Sequence, residues 1–252
     1  MKKFLLFALT LTTTITYGQL KPVRYKDGVQ KLNGFAIAPA SGSSKGGVLI
    51  LPAWRGVDAS SKNVAVRLSK LGYTAFVADI YGEDNYPQDS KMAGEKSGYY
   101  KTNYKAYTHR INVALQQLIK AGAKADKIVV IGYCFGGTGA LEAARVNMPV
   151  KGVASFHGGL KKDASRPTAT IKPKVLVLHG ADDPSVPETE ALAFRQEMRD
   201  SKADWQMIYY ANSVHAFTEK SAGNNNSKGA AYNEAADKRS WQHFLIFLSE
   251  VL

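Results

Sequence analysis

The chain has 252 residues, 45% of them hydrophobic, 21% charged and 10% aromatic, enough apolar material to bury a substantial core, which excludes the disordered and fibrous classes. Its 33 Lys+Arg against 21 Asp+Glu give a formal net charge of +12, which raises nucleic acid or an anionic surface as a partner. The single cysteine, Cys134, excludes an intramolecular disulfide and a cysteine-rich zinc site.

In chain order, Lys2 and Lys3 first precede an apolar run from Phe4 to Leu11 that fades into threonines and Gly18. This is the pattern of an export signal, and it is too short for the roughly 20 residues of a spanning helix. Thr16 and Gly18 supply the small residues for cleavage before Gln19. The expected organisation is therefore a signal peptide over 1–18 and one domain over 19–252, exported to the periplasm or the exterior and without stable membrane insertion. Removing two lysines and no acids leaves a charge of +10. That charge is thinly spread, with basic pairs such as Lys161-Lys162 and Lys238-Arg239 as the longest purely basic runs. Nucleic-acid binders instead interleave a basic strip with stacking aromatics, so nucleic acid is not an expected partner.

Beyond the leader, no repeat or composition shift divides the chain. Short apolar runs read as buried strands at Gly47 to Leu51, Thr74 to Asp79, Lys127 to Gly132, Gly152 to His157, Lys174 to Gly180 and Trp205 to Tyr210. Between them, Tyr104, Tyr107, Ile111, Leu115 and Leu118 share one face of a helix over about Lys101 to Ala121. Trp241, Phe244, Leu245 and Leu248 do the same near the C-terminus. Such alternation predicts an α/β domain: a mostly parallel sheet, helices on both faces, and a site outside the carboxyl ends of the strands.

Cys134 stands at such an end. The strand at Lys127 to Gly132 runs into Gly132-Tyr133-Cys134-Phe135-Gly136-Gly137 and then a good helix sequence. This is the G-x-S-x-G nucleophile elbow with cysteine for serine. A tight strand-to-helix turn leaves no room for Cβ atoms two residues to either side of the nucleophile, and the helix N-terminus favours a thiolate and later an oxyanion. An acid and a base follow in the order such sites require. The acid is Asp183, in Ala181-Asp182-Asp183-Pro184-Ser185-Val186-Pro187 after the strand ending at Gly180; G-x-x-D-x-x-V-P is the spacing seen in such hydrolases, and Asp182 is left to the turn. The base is His215, on a loop after the strand at Trp205 to Tyr210. Of the other histidines, His109 and His243 lie in helices, and His157 and His179 close earlier strands. No pair shows metal-ligand spacing, so neither metal nor organic cofactor is expected.

With these three residues in order, nearly the whole mature chain resembles the dienelactone hydrolase family of the α/β-hydrolase superfamily. The resemblance rests on Gly132 to Gly137, on Ala78-Asp79-Ile80-Tyr81-Gly82, on Asp183 with Val186-Pro187, on His215-Ala216-Phe217 and on Ala236-Asp237-Lys238-Arg239-Ser240-Trp241. It implies an α/β-hydrolase fold, a Cys134-Asp183-His215 triad, and an oxyanion hole from the backbone N–H groups of Trp54 and Phe135. The mechanism that follows is acyl transfer through a thioester on Cys134, with a small ester or lactone as substrate. The alternative is a secreted, non-catalytic binding protein that keeps the fold. In either case a monomer is expected.

Departures from the family pattern carry weight too. Where well-known members place a gating glutamate before the first oxyanion residue, this chain has Ala53; where they place two arginines for a substrate carboxylate, it has Glu83 and Glu219. Acids there disfavour an anionic lactone. Arg55 either replaces the missing cation or serves the surface. Tyr81 and Glu83 are the remaining candidate substrate contacts. Tyr81, Tyr86, Tyr99, Tyr100 and Tyr104 form either an aromatic cap over the site or ordinary core, and Gly223 to Gly229 reads as a mobile loop.

Overall fold

A computed structural model describes residues 18–252. The export signal expected over 1–18 falls, apart from Gly18, outside the described residues. No helix among the described residues is long and apolar enough to cross a membrane.

The described chain opens with an antiparallel hairpin, β1 (Lys21–Asp27) and β2 (Gln30–Ile37), turned at Gly28 with φ +57°. Neither strand is among the predicted ones. Their buried apolar side chains are Tyr25, Leu32 and Ile37, interleaved with lysines and Arg24, a composition suited to a charged sheet edge. The other strands are β3 (Gly47–Leu51), β4 (Thr74–Val77), β5 (Ile128–Tyr133), β6 (Gly152–Phe156), β7 (Lys174–Gly180) and β8 (Trp205–Tyr210). All eight form one sheet in the order β1-β2-β4-β3-β5-β6-β7-β8, antiparallel at β1–β2 and β2–β4 and parallel elsewhere.

Every residue of β3, β4, β5 and β6 is buried, because helices cover both faces and period-two alternation sends apolar side chains to each. Leu49 and Leu51 point to the layer of α3 (Tyr104–Lys120), α4 (Phe135–Arg145) and α5 (Glu188–Asp200). Val48 and Ile50 point to the layer of α1 (Ala59–Lys70) and α6 (Glu234–Val251). Helix α2 (Ser90–Thr102) closes against α3. The helix predicted over about Lys101 to Ala121 is α3, which begins at Tyr104; Lys101 and Thr102 instead end α2, which was not among the predicted elements, and the two helices meet at Asn103. That residue's N–H donates to the Tyr99 carbonyl while its side chain accepts from the Ala106 N–H at 3.3 Å, ending one helix and capping the next.

One buried ionic cluster ties α4 to α5. Arg145 donates to Glu197 (2.9 and 2.8 Å), to Glu142 (2.8 Å) and to the Leu160 carbonyl (2.7 Å), and Arg166 also pairs with Glu142. Together they anchor the segment after β6 beside the strand ends. Arg145→Leu leaves the Glu197 carboxylate buried and unpaired, so unfolding in urea should show a loss of roughly 3–5 kcal/mol. A loss below about 1 kcal/mol would mean that the cluster is solvated in solution.

Candidate active site

β5 delivers Cys134 into a left-handed backbone conformation, φ +53° and ψ −114°, before α4 begins at Phe135. Few non-glycine residues adopt it, and its strain is held by the surroundings. The Cys134 N–H donates to the Phe156 carbonyl at 3.0 Å, fastening the turn to the end of β6. A Cβ on Gly132 would sit 2.0 Å from the Gly136 carbonyl oxygen, and one on Gly136 2.1 Å from that of Leu51. Those clashes are the physical content of the glycine spacing.

Asp183 follows β7 in a turn closed by the Val186 N–H on its carbonyl, and its carboxylate accepts the Ser185 N–H at 2.8 Å. It is buried whereas Asp182 is exposed. His215 follows β8, its backbone held by Gly229 and Ala231. The segment read as a mobile loop, Gly223 to Gly229, follows a 3-10 turn at Lys220–Ala222 and contains a second at Asn226–Lys228, where Asn226 donates to the Asn212 carbonyl at 3.1 Å.

These elements bring the three side chains into line. His215 Nδ1 lies 3.0 Å from Asp183 Oδ2, and His215 Nε2 lies 3.0 Å from Cys134 Sγ. Burial alone would raise the thiol's pKa, but the hydrogen bond and charge of His215, the Lys101 ammonium and the Phe135 N–H outweigh it, and the thiol is held below its ordinary value. Burial likewise opposes charge on His215, yet its bonds to Asp183 and Cys134 prevail and push it up to about 10. Asp183 is held below the usual carboxylate range, burial being outweighed by His215 and the Ser185 N–H. Both shifts favour the charged forms, thiolate and imidazolium, over the neutral pair.

Trp54 follows β3, and its N–H finds no acceptor among the described residues. Tyrosines brace both backbone positions of the expected oxyanion hole. The Tyr81 hydroxyl donates to the Trp54 carbonyl at 2.7 Å and the Tyr107 hydroxyl to that of Phe135 at 2.9 Å. The Phe135 ring lies stacked between those of Tyr81 and Tyr107, with centroids 5.8 and 4.6 Å away. Tyr81 and Tyr100 therefore form core behind the site, and Tyr81 does not line the cavity that contains the nucleophile.

That cavity has a volume of ≈ 520 Å³, within the range of small-molecule sites. Cys134, His215 and Trp54 line it, together with Arg55 and Lys101, Asp58 and Glu219, and the buried His157. Arg55 donates to Ser90 at 2.7 Å and lies over the Trp54 ring. Glu219 accepts from the Ser60 hydroxyl at 2.9 Å. Glu83 does not reach the cavity: its N–H donates to the Lys31 carbonyl and its carboxylate faces Arg24 at 3.9 Å. Sequence reasoning passed over Lys101, Asp58 and His157. The only signal for His157 was its place at a strand end, and Lys101 arrives on a helix the sequence did not resolve. Among the described residues, no three His, Cys, Asp or Glu side chains gather as a metal site.

A mostly parallel sheet flanked by helices, with a nucleophile elbow at its carboxyl edge, defines an α/β hydrolase. The dienelactone hydrolase family profile matches residues 32–252. A solved structure, m3DLH, superposes with a TM-score of 0.88 at 30% identity, covering 94% of this chain and 100% of the other. A dienelactone hydrolase-like promiscuous phosphotriesterase from metagenomic libraries gives 0.87 at 33% identity, covering 94% and 99%. A probable 2-oxo-3-(5-oxofuran-2-ylidene)propanoate lactonase of Bradyrhizobium sp is 25% identical over 211 residues, 80% of this chain and 82% of the relative. The chain belongs to the dienelactone hydrolase family and is a carboxylic ester hydrolase.

Proposed function

We propose that the protein hydrolyses small, uncharged esters or lactones through a Cys134-His215-Asp183 triad and a thioester intermediate. The observation that carries this reading is the unbroken chain of 3.0 Å contacts from Asp183 through His215 to Cys134 at the cavity wall. The thiolate attacks the carbonyl carbon while the N–H groups of Trp54 and Phe135 receive the oxyanion. As the tetrahedral adduct collapses, His215 gives its proton to the departing alkoxide, and the acyl group stays on sulfur. Neutral His215 then takes a proton from water, whose oxygen attacks the thioester, and the carboxylic acid leaves as the pair re-forms. The set of charges around Cys134 supports uncharged substrates: Arg55 and Lys101 are balanced by Asp58 and Glu219, so a substrate carboxylate gains one attraction against each repulsion. The leader composition of Lys2, Lys3 and the apolar run to Leu11 supports an exported enzyme.

Esters of one leaving group with neutral, carboxylated and aminated acyl parts test the reading. The neutral series should have the highest kcat/KM, and Glu219→Gln should narrow the gap to the carboxylated esters by about tenfold, one charge contact across a half-buried cavity. A carboxylated ester turned over faster than its neutral isostere would overturn the substrate class.

A further inference from the structure

The triad leaves one buried titratable group in the cavity unused. His157 is 1% exposed and follows β6 with φ +41°. Its Nε2 is hydrogen-bonded to Thr218 Oγ1 at 2.8 Å, whereas its buried Nδ1 has no hydrogen-bond partner among the described residues. Its ring meets His215 edge-on with centroids 5.3 Å apart, and Phe217 likewise at 5.1 Å. Consecutive residues at the end of β6 thus grip the two halves of the reacting pair. The Phe156 carbonyl holds the Cys134 N–H at 3.0 Å, and the His157 side chain holds the turn that carries His215.

We propose that His157 is a positioning residue that keeps the His215 imidazole in line with the Cys134 sulfur by tying Thr218 to the strand that fastens the elbow. The inference rests on the triad reading. A cation on His157 would face imidazolium His215 across that 5.3 Å separation, so the tether works only as a neutral ring. Burial first, and then the charges of His215 and His179, hold its pKa well below the ordinary value. The other charged groups bearing on the pair are Asp183 on His215 and Lys101 on Cys134.

His157→Asn suits the left-handed backbone, which asparagine tolerates, but is too short to reach Thr218; Thr218→Val removes the same bond from its other end. Each should lower kcat for p-nitrophenyl acetate on the order of 10- to 100-fold with little change in KM, the scale of a base displaced by about an ångström. The double variant should lose no more than the worse single one. The pH midpoint of Cys134 alkylation by iodoacetamide should rise in all three toward that of an ordinary thiol, a shift that lost stability alone would not produce. His157→Gln, whose amide extends about as far as Nε2, should recover part of kcat. Wild-type kcat and alkylation midpoint in folded Thr218→Val, or independent losses that multiply in the double variant, would overturn the inference. Activity surviving in Cys134→Ala would instead overturn the triad reading beneath it.

Discussion

Replacing Cys134 by alanine is expected to lower hydrolysis of p-nitrophenyl acetate by at least about a thousandfold while leaving the melting temperature close to that of the wild type. The size follows from what remains: a bare cavity with oxyanion donors retains only part of the acceleration once the nucleophile is gone. Stability should change little because the partly buried sulfur lines the cavity and packs only at the margin of the core. Cys134→Ser keeps the shape but substitutes a hydroxyl that does not ionise at neutral pH, so it too should be nearly inactive. Rapid quenching of the wild type should trap an acyl group on the peptide containing Cys134. Ester turnover undiminished in Cys134→Ala would remove both nucleophile and thioester from the mechanism.

The second expectation concerns pH. The proposed reaction needs Cys134 ionised and His215 protonated. Activity should therefore rise with pH as the thiol ionises below its ordinary value, hold through neutrality, and fall as His215 loses its proton at about pH 10. Asp183 is one of the groups that hold the His215 pKa up. Asp183→Asn withdraws that charge and frees the ring to turn, so the alkaline limb should move to lower pH and kcat should fall on the order of a thousandfold. An alkaline limb that stays in place in Asp183→Asn would mean that another group sets it.

The legible part of this fold was the part buried on both faces. β3, β5, β6 and β7 advertise themselves as mostly apolar runs because, apart from Lys174 at the start of β7, every residue in them is buried. The hairpin of β1 and β2 was not legible, since its few buried positions are scattered among lysines that face solvent. Helix α2 was not legible either, and the backbone shows Asn103, inside the range expected for one helix, serving as the end of α2 and the start of α3.

The site divides along a similar line. Cys134, Asp183 and His215, expected as nucleophile, acid and base, come together in the structure because each follows a readable strand, and β5, β7 and β8 lie near one another in the sheet. Which charges enter the cavity could not be read, since that depends on how loops fold back. Glu219 stands four residues after the base and lines the cavity, whereas Glu83 is drawn to the hairpin by the bond between its N–H and Lys31. The hairpin that escaped detection is therefore what removes Glu83 from the site.

The tyrosines that brace the backbone at Trp54 and Phe135 bear on the enzyme's working range. Burial, followed by the nearby Cys134 charge for Tyr81 and by the Tyr81 hydroxyl for Tyr107, pushes both phenols far above the ordinary tyrosine value. Each remains a protonated donor to its carbonyl well past the point at which His215 gives up its proton. In alkaline solution these two braces should therefore outlast the proposed chemistry, and inactivation at high pH should reverse on returning to neutrality, as a titration does and a collapse does not.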